Sequence, residues 1–143
     1  MKNLLILVAC LLTLVACAGS SPDRGAQIAA ALDQLQTRED YAQTERCLST
    51  HQYRSVEVLD ENHLLFTGTS RDRLWLNKLR ARCPGLRRND TLAFELRSNR
   101  LCNLDTATVV DHFLFWQRTG PTCSLGEFQQ LTPGQAELLR EAL

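Results

Sequence analysis

The chain lacks the short motifs that identify most metal proteins and many enzymes. It contains no Cys-x-x-Cys, no His-x-x-x-His, no Gly-x-Ser-x-Gly, no P-loop and no Gly-x-Gly-x-x-Gly. These absences argue against a zinc knuckle, a thioredoxin-type redox pair, a metalloprotease, a hydrolase nucleophile elbow and a nucleotide-binding loop. We therefore expect neither a metal nor a cofactor, and no motif marks a catalytic residue.

Net charge of one sign is also missing, because 16 basic and 16 acidic side chains balance. A dedicated nucleic-acid binder usually has a strong basic excess, so we expect no nucleic-acid partner. The charges are unevenly placed along the chain. Basic side chains concentrate between Arg71 and Arg100, and acidic ones between Asp33 and Glu61.

No apolar run is long enough to cross a membrane as a helix. The run at Leu4–Ala16 follows Lys2 and ends in Leu14-Val15-Ala16-Cys17, well short of the ~20 residues that a spanning helix needs. This pattern resembles a bacterial lipoprotein signal, in which the cysteine is lipidated and becomes the new N-terminus. The same four residues at Leu7–Cys10 leave a shorter apolar region, so we predict lipidation at Cys17. Cleavage after Ala18 by an ordinary signal peptidase is the alternative.

The resemblance to a lipoprotein signal implies a location. Bacterial lipoproteins generally carry three acyl chains, palmitate among them, and this implies stable anchoring where one chain alone binds only marginally. Ala18 rather than an aspartate follows the cysteine, which implies the periplasmic face of the outer membrane. We predict a signal peptide at 1–16, a lipidated tether at 17–25, a helix or spacer at 26–46 and a disulfide-bonded domain at 47–143.

Four cysteines remain after the signal: Cys47, Cys83, Cys102 and Cys123. An even number of cysteines in an exported chain predicts disulfide bonds, two in this case. Spacing alone allows three pairings. We favour Cys83–Cys102, which closes a compact segment, together with Cys47–Cys123, which ties the start of the domain to its end.

Local patterns predict a helix at each end of the chain after the tether. Ala26–Thr37 places Ile28, Leu32 and Leu35 on one stripe, which is typical of a helix; this helix either packs on the domain or acts as a spacer. Thr132-Pro133-Gly134-Gln135 has the form of a capping box with proline at the first helical position and predicts a final helix.

Short strands are predicted between the helices. Tyr53–Leu59 and His63–Thr69 flank the turn Asp60-Glu61-Asn62 and predict a β-hairpin. Further strands are predicted at Arg73–Leu79 (passing into a helical turn), Leu92–Leu96, Leu101–Cys102 and Thr106–Trp116, with a loop at Pro121–Gly126. The fold class we predict is α+β and β-rich: a small antiparallel sheet or partly closed barrel of about five strands, with flanking N- and C-terminal helices.

Two groups of side chains are candidates for a binding patch. The first is aromatic and consists of Phe113, Phe115 and Trp116; burial in the core is the favoured alternative to exposure. The second is basic and consists of Arg80, Arg82, Arg87 and Arg88. These arginines either meet anionic envelope material or, as we favour, form a solvated surface that pairs with the acidic stretch.

A catalytic interpretation has less support. Asp105 and Asp111 are candidates for the carboxylate pair of a glycosidase, but carboxylates are equally typical of turns. His112 lies beside Asp111 and is more typical of a buried, hydrogen-bonded histidine. A hydrolase predicts that such groups converge in a concave site with perturbed pKa values.

Short motifs surround the four mature cysteines. They are Cys47 itself, Leu76-Asn77-x-Leu79, Cys83-x-Gly85-Leu86, Leu101-Cys102-x-x-Asp105 and Cys123-x-Leu125-Gly126-x-Phe128. In these motifs the segment resembles a family of small exported proteins of Gram-negative bacteria that has four cysteines and no assigned function. The resemblance implies an envelope location and a disulfide-bonded fold. Asn103 and Leu104 stand where a nearby glycine is expected.

Two classes of function remain as hypotheses. The leading one is an outer-membrane-anchored periplasmic lipoprotein of non-enzymatic role, which binds an envelope protein or anionic polymer or organises the envelope. The alternative is a small cell-envelope hydrolase, or an accessory or inhibitor subunit of an exported enzyme.

Overall fold

Antiparallel strands dominate the structure, with one helix before them and one after. The computed structural model describes residues 24–36, 44–70, 72–96, 98–111 and 117–142. The helices are α1 (Arg24–Gln36) and α2 (Pro133–Ala142). The strands are β1 (Thr44–Glu45), β2 (Cys47–Ser49), β3 (Tyr53–Val58), β4 (His63–Gly68), β5 (Leu74–Lys78), β6 (Thr91–Phe94), β7 (Arg100–Cys102), β8 (Thr106–Asp111), β9 (Gln117–Ser124) and β10 (Phe128–Gln130).

The strands form three sheets, and the largest lies at the centre of the molecule. Its five strands follow the order β1-β10-β5-β4-β3, and every neighbouring pair is antiparallel. The pair β2-β7 and the three strands β6-β8-β9 form two smaller sheets. Within the described residues the central sheet stays open between β1 and β3. The predicted β-rich α+β class with an antiparallel sheet of five strands and two flanking helices is confirmed.

Side chains alternate between the two faces of the central sheet along its strands. Each face carries apolar side chains, and a buried cluster covers each of them. The disulfide-side cluster packs between this sheet and the two smaller ones, and it consists of Leu48, Val58, Leu64, Phe66, Trp75, Leu79, Cys83, Leu86, Leu101, Ala107, Val109, Cys123, Leu125 and Phe128. The helix-side cluster packs between the sheet and the helices, and it consists of Ile28, Ala31, Leu32, Leu35, Leu59, Leu65, Leu74, Leu76, Leu131, Ala136, Leu139 and Ala142.

Both helices pack on the sheet through their apolar stripes. The stripe of α1 is buried at Ile28, Leu32 and Leu35, so this helix packs on the sheet rather than acting as a free spacer. At the start of α2 the predicted capping box is confirmed. The Thr132 amide donates to Gln135 Oε1 at 2.8 Å, and the Gln135 amide donates to Thr132 Oγ1 at 3.3 Å. These bonds satisfy amides that a helix start leaves without partners.

The disulfides join Cys47 to Cys102 and Cys83 to Cys123, so the pairing favoured from spacing is wrong. Strand register explains the first bond, because β2 and β7 pair with Cys47 directly opposite Cys102. The second bond ties the loop after β5 to β9 and is buried at both sulfurs. Each link joins segments that are distant in the chain and meet in the fold, and loop length along the chain does not reveal these meetings.

Two predictions of local structure are also wrong. Pro121 was expected in a loop but lies inside β9, which is tolerated because β9 pairs only with β8 and is an edge strand. The helical turn expected after β5 is instead a loop of successive turns over residues 79–90. Its apolar residues Leu79, Cys83 and Leu86 are nevertheless buried in the disulfide-side cluster.

Neither α1 nor α2, nor any other helix within the described residues, has the length and apolarity needed to cross a membrane.

Candidate functional site

The motifs around the cysteines build the framework of the fold. Asn77 is fully buried on β5, and its Nδ2 donates to the carbonyl of Gly126 at 2.8 Å. The Gly126 amide donates back to Asn77 Oδ1 at 3.2 Å. A side chain at Gly126 would place its Cβ 2.0 Å from the carbonyl oxygen of Lys78, so only glycine fits. These residues lock the segment before β10 against β5.

The motif Leu101-Cys102-x-x-Asp105 forms a tight turn. The Asp105 amide donates to the Cys102 carbonyl at 3.1 Å, and the Cys102 amide donates to Asp105 Oδ2 at 2.7 Å. Leu104 lies in this turn with a φ of 83°, a conformation that favours glycine. The glycine expected here is therefore replaced by a leucine in a left-handed conformation, and Asp105 serves the turn.

The glycosidase-like pairing of Asp105 with Asp111 is wrong. The two residues lie at opposite ends of β8. At about 3.3 Å per residue the strand separates them by about 20 Å, whereas the two carboxylates of a glycosidase lie within about 10 Å of each other. His112 lies outside the described residues. No group of three or more histidine, cysteine, aspartate or glutamate side chains in the described ranges is arranged to hold a metal ion.

An aspartate and a histidine form a close pair at the β3-β4 turn. His63 Nδ1 lies 3.0 Å from both carboxylate oxygens of Asp60. Burial raises the pKa of Asp60, but hydrogen bonds from the His63 ring and from the Asn62 and His63 amides outweigh it and leave that pKa below its ordinary value. His63 Nε2 is buried without a hydrogen-bond partner. Because this nitrogen is not exposed to solvent, it cannot exchange a proton with a substrate in this conformation.

The predicted basic patch is partly neutralised. Its four arginines lie in the loop of residues 79–90, where Arg82 pairs with Glu61 at 2.6 Å and Arg88 pairs with Glu57 at 3.6 Å. The Gly85 amide and the Arg82 guanidinium lower the pKa of Glu61. Both carboxylates belong to the acidic stretch, as the favoured interpretation expects. Arg80 and Arg87 remain exposed.

The remaining predicted site residues lie outside the described residues. They are Cys17, the predicted lipidation site, and the aromatic group Phe113, Phe115 and Trp116. The predicted strand Thr106–Trp116 is present as far as Asp111, where β8 ends.

A charged cleft opens on the helix side of the central sheet. It has a volume of about 480 Å³ and lies between the edge strand β3, the β4-β5 turn and the last turn of α2. Buried Leu65 and Leu74 line it. Its polar lining consists of Arg54, Glu57, Thr67, Asp72 and Arg140.

The charges around this cleft differ in how they are satisfied. Glu57 has Arg88 as a partner, and Arg140 pairs with Glu137 at 3.3 Å. Arg54 and Asp72 are exposed and form no ion pair with a described residue. The sequence patterns did not predict this site, because its residues come from three strands, a turn and a helix and form no local motif. Alternation along the β3-β4 hairpin was the one available signal, since it places Glu57 and Leu65 on the same face.

Together these features define a disulfide-bonded, β-rich α+β protein whose central sheet carries a charged cleft near one edge. The chain belongs to a family of unknown function, DUF6491, whose family model matches residues 1–143. No curated protein and no solved structure matches the chain.

Proposed function

We propose that this protein is an exported, lipid-anchored binding module of the bacterial envelope with a non-enzymatic role. In this proposal a lipid on Cys17 holds it at the periplasmic face of the outer membrane. The signal-like pattern at Leu14–Cys17 supports the anchor. The two disulfides support an oxidising compartment, since such bonds persist mainly outside the cytosol.

The charged cleft is the observation that carries the binding role. Its volume of about 480 Å³ falls within the range of small-molecule sites, about 300–1,000 Å³. It combines a buried apolar floor with two charged groups, Arg54 and Asp72, that form no ion pair with a described residue. Catalysis has weaker support, because the one carboxylate–histidine pair that the described residues show buries its free nitrogen.

Site-specific photo-crosslinking in intact cells tests the binding role. A photoreactive residue replaces Glu57 at the cleft, Arg87 in the arginine loop or Ser124 on β9; all three side chains are exposed. We expect adducts from position 57 and none from position 124. Adducts from position 87 alone would place binding at the arginines instead of the cleft, and no adduct at any position would contradict a binding module.

Membrane fractionation tests the anchor separately. The Cys17→Ser variant should leave the membrane fraction and lose the mass of the acyl chains. A variant that stays with the membrane and keeps that mass would exclude Cys17 as the modified residue.

A further inference from the structure

We propose that the charged cleft binds a small zwitterion with an aliphatic part, the chemistry shared by a free amino acid and a short peptide. This inference rests on the proposed binding function and assigns its ligand class. Three features of the cleft support it: two charges that form no ion pair with a described residue, the positions of these charges, and the apolar surface between them.

Two charged side chains of the cleft, one cation and one anion, form no ion pair with any described residue. Among the lining residues, Glu57 and Arg140 have the partners described above, which leaves the Arg54 guanidinium and the Asp72 carboxylate. These two side chains do not form an ion pair with each other. A ligand with a single charge would satisfy one of them, whereas a zwitterion satisfies both.

The positions of the two charges follow from the topology. Arg54 lies at the start of β3 beside an irregularity in the β3-β4 register, and Asp72 lies in the β4-β5 turn. Because β3 and β4 are antiparallel, the start of β3 and the end of β4 lie at the same end of the sheet. The guanidinium suits a carboxylate through two parallel hydrogen bonds, and the aspartate suits an ammonium group.

The surface between these charges is apolar with one hydroxyl. Thr67 and Leu74 stand opposite each other on β4 and β5, and Leu65 follows on the same face. Leu65 and Leu74 are each only 3% exposed, so the floor of the cleft is part of the packed helix-side cluster. An aliphatic group on this floor removes apolar surface from water, and the Thr67 hydroxyl can donate to or accept from a polar group of the ligand.

Calorimetric titration of the whole protein in detergent tests the ligand class with four probes. They are leucine, the dipeptide Leu-Leu, isoamylamine (which lacks the carboxylate) and 4-methylpentanoate (which lacks the ammonium group). We expect at least one of the two zwitterions to bind about tenfold or more tightly than either singly charged probe, because a hydrogen bond to a charged group is typically worth a factor of that size. Tighter binding of leucine would indicate a free amino acid as the ligand, and tighter binding of Leu-Leu would indicate a short peptide.

Charge-removing variants locate the binding. Arg54→Gln should weaken the zwitterion about tenfold and leave isoamylamine unchanged, and Asp72→Asn should weaken the zwitterion but leave 4-methylpentanoate unchanged. Arg80→Gln and Glu127→Gln remove exposed charges that do not line the cleft and should change nothing. All four variants should keep the melting temperature of the parent.

The outcomes separate this inference from the proposed function. Equal binding of all four probes, or zwitterion binding that ignores both cleft variants, overturns the ligand class. Absence of any binding alongside adducts from position 57 in cells also overturns it, while the binding module stands. Absence of both removes the ligand class and the binding module together.

Discussion

The two faces of the central sheet are covered by different means. On one face, the smaller sheets pack against side chains of the central sheet that include three aromatic rings. The ring of Phe66 contacts the rings of Phe128 and Tyr53 edge-to-face, with centroid distances of 5.2 and 5.3 Å. The disulfides lie on this side. On the other face, α1 and α2 cover aliphatic side chains. The first face depends on links between segments far apart in the chain, whereas the second depends on helices with their own local signals.

The different coverings of the two faces leave the cleft on the helix side. The small sheets cover the disulfide side with packed side chains. The Cys83–Cys123 bond ties β9 to the loop after β5, and the Cys47–Cys102 bond joins the two strands of one small sheet. On the helix side, the cleft remains between α2 and the edge strand β3. We infer that the disulfide side provides rigidity and that the helix side provides the space for a ligand.

Of the changes described below, loss of a disulfide should lower the free energy of unfolding the most, and this change affects the disulfide side of the sheet. Replacing Cys83 and Cys123 together by alanine should lower the free energy of unfolding by about 4 kcal/mol, because the bond closes a long loop. Chemical denaturation measures this value. Leu138→Ala, in a partly buried position beside the helix-side cluster, is the comparison and should cost clearly less. A double cysteine variant as stable as the parent would contradict the role given to the disulfide side.

The two disulfides should also differ in their resistance to reduction. Cys47 and Cys102 are partly exposed, whereas Cys83 and Cys123 are buried. Because exchange needs access of a thiolate to the sulfur, mild dithiothreitol should open Cys47–Cys102 first. Timed alkylation followed by peptide mass spectrometry shows the order, and simultaneous opening would mean that reduction follows global unfolding.

The same substitution on the two faces should have opposite effects. Gly126→Ala on the disulfide side pushes a methyl group into the Lys78 carbonyl and should cost about 3 kcal/mol, as severe overpacking does. Gly134→Ala in α2 meets no atom within 4 Å and should stabilise the protein by about 0.5–1 kcal/mol, since alanine favours a helix. Equal melting temperatures for the two variants would refute the close contact at Gly126.

Removing the helix cap should have a smaller effect. Thr132→Ala deletes the hydroxyl that accepts from the Gln135 amide and should cost about 1 kcal/mol. Thr132→Ser keeps the hydroxyl and is the matched control. If the serine variant loses as much stability as the alanine variant, the methyl group of Thr132 matters and the cap does not.

The smallest expected effect is a pH dependence at the β3-β4 turn. The pKa of Asp60 is lowered in the folded protein, so its stabilising contribution is present above the ordinary pKa of an aspartate, about 3.9, and is lost as the pH falls through the lower folded value. Asp60→Asn should therefore flatten the decline of stability below about pH 4. Denaturation midpoints between pH 2 and pH 6 check this, and parallel curves for the variant and the parent would contradict it.

Local signals were sufficient for several elements. The stripe of Ile28, Leu32 and Leu35 predicted α1, and Thr132 with Gln135 predicted the start of α2. The turn at Asp60-Glu61-Asn62 predicted the β3-β4 hairpin. In each case the residues that determine the element lie within a few positions of one another, so the pattern is visible in a short window.

Long-range contacts explain the structural predictions that were wrong. The register of β2 on β7 chose the partner of Cys47, and the edge position of β9 allowed Pro121 inside a strand. The cleft was also invisible, because Arg54, Asp72 and Arg140 come from three separate elements. None of these relations leaves a trace in the spacing of neighbouring residues.

The amino-acid sequence by itself determined the helices, the first hairpin, the four cysteines available for bonding and the balance of charge, because each depends on composition or on neighbours along the chain. Only the tertiary structure decided which cysteines join, how the two faces of the sheet are covered and which side chains meet around the cleft. The physical reason is that sheet pairing brings distant segments into register, and many registers are compatible with the same local patterns.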